Sequence, residues 1–286
     1  MDNSQLRKII DNIYDGLESN NFDRIGEPDI PMYGRPAMGV SRGDDEYFEF
    51  LKGHIGEFHW SPADAWRLKY DDDTVPSDLR VVSLIFPQSG FAKAAQKKEE
   101  IHPSDEWLVS RGKWEGMMRE FSGKLVAELE EMGLKAVSID LQSEWGLETS
   151  ENLGIASRWS HRHYAYAAGL GTFGLSDGFI SDFGKAVRIT SLIVNVPLDT
   201  TSENRQGPYD RCLFHAKGIC GMCIKRCPCN AISEEGHNKD ICAEYEDICI
   251  ENYWPPHIEK GDWIFGCGLC QVKVPCQDKN PMENVK

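Results

Sequence analysis

CLFHAKGICGMCIKRCPCNAI, residues 212–232, decides how the rest of the chain is read. It carries Cys212, Cys220, Cys223 and Cys227, and Pro228 follows the last of them. From Cys220 onward the spacing is C-x2-C-x3-C-P. Two thiols two residues apart share one short turn, so both sulfurs can reach the same metal centre. A cysteine just before proline commonly reaches a neighbouring centre instead. A second group, FGCGLCQVKVPCQDKNP from Phe265, holds Cys267, Cys270 and Cys276. Together the two groups read as the ligands of two four-iron clusters.

The spacing from Cys220 is the last three-quarters of the bacterial ferredoxin run for iron–sulfur ligation. In the full run the first cysteine would stand at Lys217, and Cys212, five residues earlier, replaces it through a longer loop. The expected ligands of one cluster are Cys212, Cys220, Cys223 and Cys276. Those of the other are Cys227, Cys242, Cys267 and Cys270. Cys229 and Cys249 are spare, with Cys249 the competitor of Cys242. A pair of structural zinc sites is the competing reading, because C-x2-C is also a zinc-knuckle spacing. Cys-Pro followed by Asn-Ala-Ile favours iron–sulfur. His215 and Cys229, beside the ligands, are expected only to tune solvation.

Ten cysteines suit metal ligation better than disulfides in a reducing compartment. That compartment is expected to be the cytoplasm. The N-terminal stretch is charged throughout, has no signal-like apolar region and shows no twin-arginine leader. No run of eighteen apolar residues predicts a membrane span. The net charge of −15 repels phosphate backbones unless a local basic patch intervenes, so nucleic acid is not the expected partner. With 286 residues and 41% apolar content the chain can form two modest domains with ordinary cores.

Residues 3–18 read as an amphipathic helix with Leu6, Ile9, Ile10, Ile13 and Leu17 on one face. The Gly- and Pro-rich stretch 26–43 reads as an extended loop, and 44–55 as a short helix. Leu79 to Phe86 is a near-continuous apolar run, which predicts a strand buried on both faces. Ser104 is a candidate N-cap for a long helix ended by Gly133, with Gly112, Gly116 and Gly123 as potential interruptions. Lys135 to Leu141 reads as the next strand. Helix between strands predicts an α/β layer fold. A short Ala- and Tyr-rich helix then leads to a glycine turn, a polar loop and a strand at about 186–196. Residues 199–210 are polar and place a domain boundary, giving domains 1–200 and 201–286.

The turn itself, GLGTFG from Gly169 to Gly174, formally matches G-x-G-x-x-G. A dinucleotide site needs a strand before this motif and a helix opening at it. Here a helix precedes and a loop follows. The glycines serve either a tight turn with positive φ or close backbone approach to a flat ligand.

The run AYAAGLGTFGLSDGFISDFGKAVRITSLIVNVPL, followed by CGMCIKRCPCNAI and FGCGLCQ, resembles the reductive dehalogenase and epoxyqueuosine reductase superfamily. The resemblance covers roughly 155–278. It implies an α/β domain of nitroreductase-like fold that binds cobalamin, and a C-terminal α+β ferredoxin-like domain with two [4Fe–4S] clusters. It implies that Gly169, Leu170, Gly171, Thr172, Phe173 and Gly174 lie against the corrinoid, with Arg188 and Ser191 near its pocket. The D-x-H-x-x-G pattern that supplies a histidine to cobalt elsewhere is absent, so no histidine lower ligand is expected.

Epoxyqueuosine reductases carry an acidic proton donor before the AGLG turn. This chain has SRWSHRHY there, residues 157–164. The candidate proton donors in that stretch and just beyond it are Tyr164, Tyr166, His161, His163 and Arg162. The chain stops ten residues after Cys276, without the helical repeats that help such enzymes hold tRNA, which again argues against a tRNA substrate. The expected function is reductive cleavage of a small organic substrate by a cobalamin-dependent iron–sulfur enzyme. Its electrons would come from a ferredoxin or flavodoxin. A non-catalytic electron-transfer or corrinoid-reducing protein is the alternative, and flavin is a less favoured replacement for cobalamin. The eight tryptophans, among them Trp60, Trp66, Trp145, Trp159 and Trp254, are expected mostly in the core.

Overall fold

The computed structural model describes residues 1–258 and 265–284. The remaining residues of the expected second domain lie outside the described ones. Helix α1 spans Asn3–Asp15, capped by Asp2, whose carboxylate accepts from the Gln5 amide. It is shorter than the periodicity predicts because Gly16 ends it, though Leu17 still packs against the core. The stretch expected as a loop contains strand β1, Ala37–Arg42. Helix α2 covers Glu46–Ile55 and α3 covers Pro62–Arg67, each opened by a side-chain cap, Asp45 and Ser61.

Strand β2, Arg80–Pro87, is the buried apolar run. Its residues alternate between two cores, as a period of two requires. Val82, Leu84 and Phe86 face α1 and the long helix α5, while Val81 faces α2 and α3. Helix α4 is Gly90–Gln96, and α5 runs unbroken over Asp105–Glu131. The Ser104 hydroxyl accepts from the Trp107 amide 3.2 Å away, so the predicted cap is present. The α5 glycines do not interrupt the helix. The open space beside Gly116 and Gly123 means that packing does not demand their small size.

Strand β3 is only Ala136–Ser138, because a 3-10 turn over Ile139–Leu141 takes the rest of the predicted strand. A hairpin of β4, Leu147–Ser150, and β5, Gly154–Ser157, follows. Helix α6, His161–Ala167, is the Ala- and Tyr-rich segment. The region expected as a polar loop is a second hairpin, β6 Gly171–Phe173 with β7 Phe179–Ser181. Strand β8, Val187–Val194, completes the central sheet in the order β1-β2-β8-β3. Every pairing in that sheet is antiparallel. The chain is thus a mixed α/β fold in which β2 and β3, joined through α5, run in the same direction with β8 inserted antiparallel between them.

Short helices α7, Leu213–Lys217, and α8, Met222–Arg226, carry the first cysteine group. A two-residue hairpin of β9 and β10 (Ile232–Ser233 and Gly236–His237) leads to α9, Lys239–Asn252. Cys249, Cys267 and Leu269 join the same apolar cluster as α1 and α5. No helix among the described residues is long and apolar enough to cross a membrane.

Candidate functional site

Two cavities divide the cysteines. Cys212, Cys220, Cys223 and Cys276 line a small one beside Gly174 and Leu175. Cys227, Cys229, Cys242, Cys267 and Cys270 line one side of a larger, open cavity of about 470 Å³. Cys249 lies instead in the main core, fully buried. Cys227 and Cys229 stand with their sulfurs 3.7 Å apart, and the Cys227 sulfur accepts from the Ala231 amide at 3.2 Å. Among the described residues no three His, Cys, Asp or Glu side chains gather tightly enough to hold one metal ion.

Burial shapes these thiols. It pushes Cys223 up to about 11 against the pull of Lys185, and Cys242 up to about 12 with Glu246 adding to the effect. A thiol in such surroundings ionises readily only when a cation joins it. Lys185 is a cation that the protein supplies here. It borders both cavities, and its ammonium donates to the Ser176 hydroxyl at 2.7 Å. Burial opposes its charge, but Cys276, Cys270, Cys223 and Cys212 outweigh that and hold its pKa above the ordinary lysine value.

The cysteine loops are tied to the helices by groups the sequence did not single out. The Gln96 amide nitrogen donates to the Cys267 carbonyl at 2.7 Å, and its oxygen accepts from the Ser104 amide. Arg226 donates to the carbonyls of Glu99, at 2.8 Å, and Leu269, at 3.2 Å. Gly268 has φ +61°, and a Cβ there would stand 2.2 Å from the Trp107 indole nitrogen. The glycine inside the second C-x2-C is therefore needed for packing. All these partners are remote in sequence, which hides them from spacing arguments.

The rest of the larger cavity is lined by Trp145, Trp159, His161, Arg162, Phe179 and Arg188. His161 is the central polar group. Its Nδ1 lies 2.8 Å from the Ser191 hydroxyl, which also accepts from the Trp159 indole N–H at 2.9 Å. Its Nε2 lies 3.8 Å from an Asp140 carboxylate oxygen. Burial lowers the His161 pKa, partly offset by Asp140. Arg162 donates to the Asp177 carbonyl at 2.6 Å, and Asp177 holds His237, which also lines the cavity. Glu246 borders the thiol side, accepts from the Cys267 amide, and has its pKa raised by burial. Asp140, behind His161, and Glu246, on the cavity wall, are acidic groups from outside the stretch before the glycine turn. They come from distant elements.

Other expected site residues do not line this cavity. Tyr164 is fully buried, stacked on Trp159 at 3.5 Å, and its hydroxyl donates to the Trp60 carbonyl at 2.5 Å. Tyr166 donates to the Gln206 carbonyl, and His163 pairs with the Ser160 hydroxyl. Leu170 covers Gly39 of β1, leaving no room for a Cβ there. A Cβ at Gly171 would meet the Ile180 carbonyl at 2.3 Å, and one at Gly169, with φ +73°, would meet the Thr201 carbonyl at 2.7 Å. Thr172 accepts from the Arg211 amide, and Phe173 packs between His163 and Phe179. Of this turn, Gly174 alone borders a described cavity, the small thiol-lined one. The turn's small residues answer to the chain's own backbone. Ser191 reaches the site through His161.

No family model matches the chain. An epoxyqueuosine reductase of Aliivibrio fischeri is 25% identical over 279 residues, 94% of this chain and 67% of that protein. One of Leadbetterella byssophila is 33% identical over 116 residues, 39% of this chain and 35% of that protein. The chain thus spans from about a third to two thirds of these relatives' length. A catabolic reductive dehalogenase solved with 3-bromo-4-hydroxybenzoic acid superposes with a TM-score of 0.50 at 15% identity, covering 97% of this chain and 37% of that one. An epoxyqueuosine reductase solved with a tRNA stem loop gives 0.48 at 16% identity, covering 95% and 66%. In sequence the chain is thus similar to epoxyqueuosine reductases, and its fold is similar to that of the reductive dehalogenase.

Proposed function

We propose that this chain, similar to epoxyqueuosine reductases and reductive dehalogenases, is a cobalamin-dependent iron–sulfur reductase. Two [4Fe–4S] clusters would pass electrons to a corrinoid in the larger cavity for reductive cleavage of a bound substrate. Residues 1–200 would be the nitroreductase-like part and 201–286 the ferredoxin-like part. A low-potential carrier such as a ferredoxin or flavodoxin would supply the electrons.

The carrying observation is the double character of the larger cavity. Five thiols border one side, and tryptophans, arginines and His161 border the rest. The donor set suits the clusters, since four thiols border the small cavity and five border the larger one. The cavity also suits a broad, partly apolar cofactor, with aromatic walls and a few convergent polar groups. Trp145 and Trp159 would wall it, and Arg162 and Arg188 would donate hydrogen bonds to its polar rim. A corrinoid, when bound, supplies a low-valent cobalt able to reduce a carbon–halogen or carbon–oxygen bond. That chemistry takes up a proton, and we assign His161 as its donor. Asp140 lies beside Nε2 and stabilises a proton on the ring, and Ser191 and Trp159 fix the ring through Nδ1.

The pKa of His161 lies below the ordinary histidine value because of burial. Its proton-carrying form therefore declines as pH rises, and turnover should fall with it. His161→Phe should lower turnover by roughly 10²-fold, the usual worth of one general acid, and flatten this acid-side dependence. An unchanged pH profile in that variant would remove His161 from the role. The direct test of function supplies cluster-loaded, cobalamin-loaded protein with a reductant. Halide release from a brominated phenol is compared with reduction of an epoxyqueuosine-bearing stem loop, because the curated relatives carry the reductase name. Either turnover supports the reading, and the substrate that reacts gives its class. Full clusters without cobalamin retention, with electrons passing to a partner protein, would replace it with the electron-transfer alternative.

A further inference from the structure

Lys185 borders both thiol-lined cavities. It is 3% exposed. Among the described residues its ammonium has no carboxylate partner, and its polar contact is the neutral hydroxyl of Ser176. Its own amide donates to the Cys276 carbonyl at 2.6 Å, which fixes the backbone against the cysteine loop. The fold also makes room for its stem. A Cβ on Gly178 would stand 2.5 Å from the Lys185 Cδ.

A buried, unpaired ammonium is costly unless negative charge lies close by. Here the surrounding groups are thiols from both sets. A four-thiolate cubane cluster is anionic and gains one further negative charge on reduction. A fixed cation beside it therefore stabilises the reduced form more than the oxidised one.

We propose that Lys185 is a shared electrostatic positioning residue that raises the reduction potentials of both clusters together. The inference rests on the two-cluster reading above. In each transfer a cluster accepts one electron from an external one-electron donor and hands one on. Lys185 keeps its proton, and no bond forms or breaks.

The test is a dithionite titration of cluster-loaded protein, followed by electron paramagnetic resonance, with iron counted in the same samples. In Lys185→Met both clusters should move to more negative potential. At a fixed applied potential their reduced-to-oxidised ratio should fall about tenfold, ~59 mV for a one-electron couple. Lys185→Arg keeps the charge and should stay near the wild-type potentials. Gly178→Ala keeps the lysine but crowds its stem, and should shift both clusters in the direction of Lys185→Met. Full iron content with unchanged potentials in Lys185→Met overturns the inference, as does movement of one cluster alone. Should Lys185→Met lose its clusters, Gly178→Ala decides, and unchanged potentials there overturn it. Wild-type protein that assembles no second cluster contradicts the two-cluster reading itself, a result separate from any potential shift.

Discussion

Buried histidines set how the protein answers acid. His59 is 1% exposed, with Nδ1 unpartnered, and burial next to Lys52 brings its pKa down to about 4. His163 is brought down to about 3 by burial and by Arg162. Such groups bind protons in the unfolded chain before they do in the native one. Their stabilising effect is present above the unfolded value of 6.5 and is lost as pH falls below it. From pH 7 to pH 5, His59 should cost about 2 kcal/mol of stability. Denaturant unfolding of His59→Phe and wild type at both pH values checks this, and an equal loss in the two proteins would contradict it. At this scale the sequence was read unevenly. Cysteines advertise themselves by spacing, and they divide between two cavities, four at the small one and five, Cys229 included, at the larger. Tyr164 looked like chemistry from its position, yet its phenol is bound to a carbonyl in the core. Asp140, Glu246 and Lys185 give no local signal, because their meaning comes from contacts across the fold.

Elements show the same division. Strand β2 and helix α5 were legible because long apolar periodicity is strong evidence of burial. The hairpins β4–β5 and β6–β7 were missed, since strands of three or four residues are too short for alternation to stand out. The turn after β7 joins the hairpin β6–β7 to the last cysteine loop. Gly184 has φ +77°, and a Cβ there would lie 2.4 Å from the Gln277 backbone. Directly beyond it, Lys185 and Ala186 donate to the carbonyls of Cys276 and Gln277. Gly184→Ala should therefore destabilise the fold by about 2 kcal/mol or more, from left-handed strain plus the clash. It should also loosen the Cys276 loop. Thermal unfolding and iron content report the two effects, and wild-type values for both would show that the turn is not needed to seat that loop.

At the scale of the molecule, the sheet is covered on both faces and the cysteine segment is built into the larger core. Leu269 and Cys267 pack in one cluster with Leu6 and Leu129. The position of the second cysteine group is thereby coupled to the sheet that contains β8, and Ser191 of β8 orients His161. Topology was the least legible level. Helix-between-strands order indicates an α/β layer but gives no sign that β8, late in the chain, inserts between β2 and β3. The central claim is that this one body holds two clusters and a corrinoid. Iron and cobalt content with the visible spectrum, on protein prepared without oxygen and offered cobalamin, tests it most directly. About eight irons and one cobalt per chain are expected, the complement of two cubanes and one corrinoid. Eight irons with no retained cobalt would contradict the corrinoid, and four irons or zinc in their place would contradict the paired clusters.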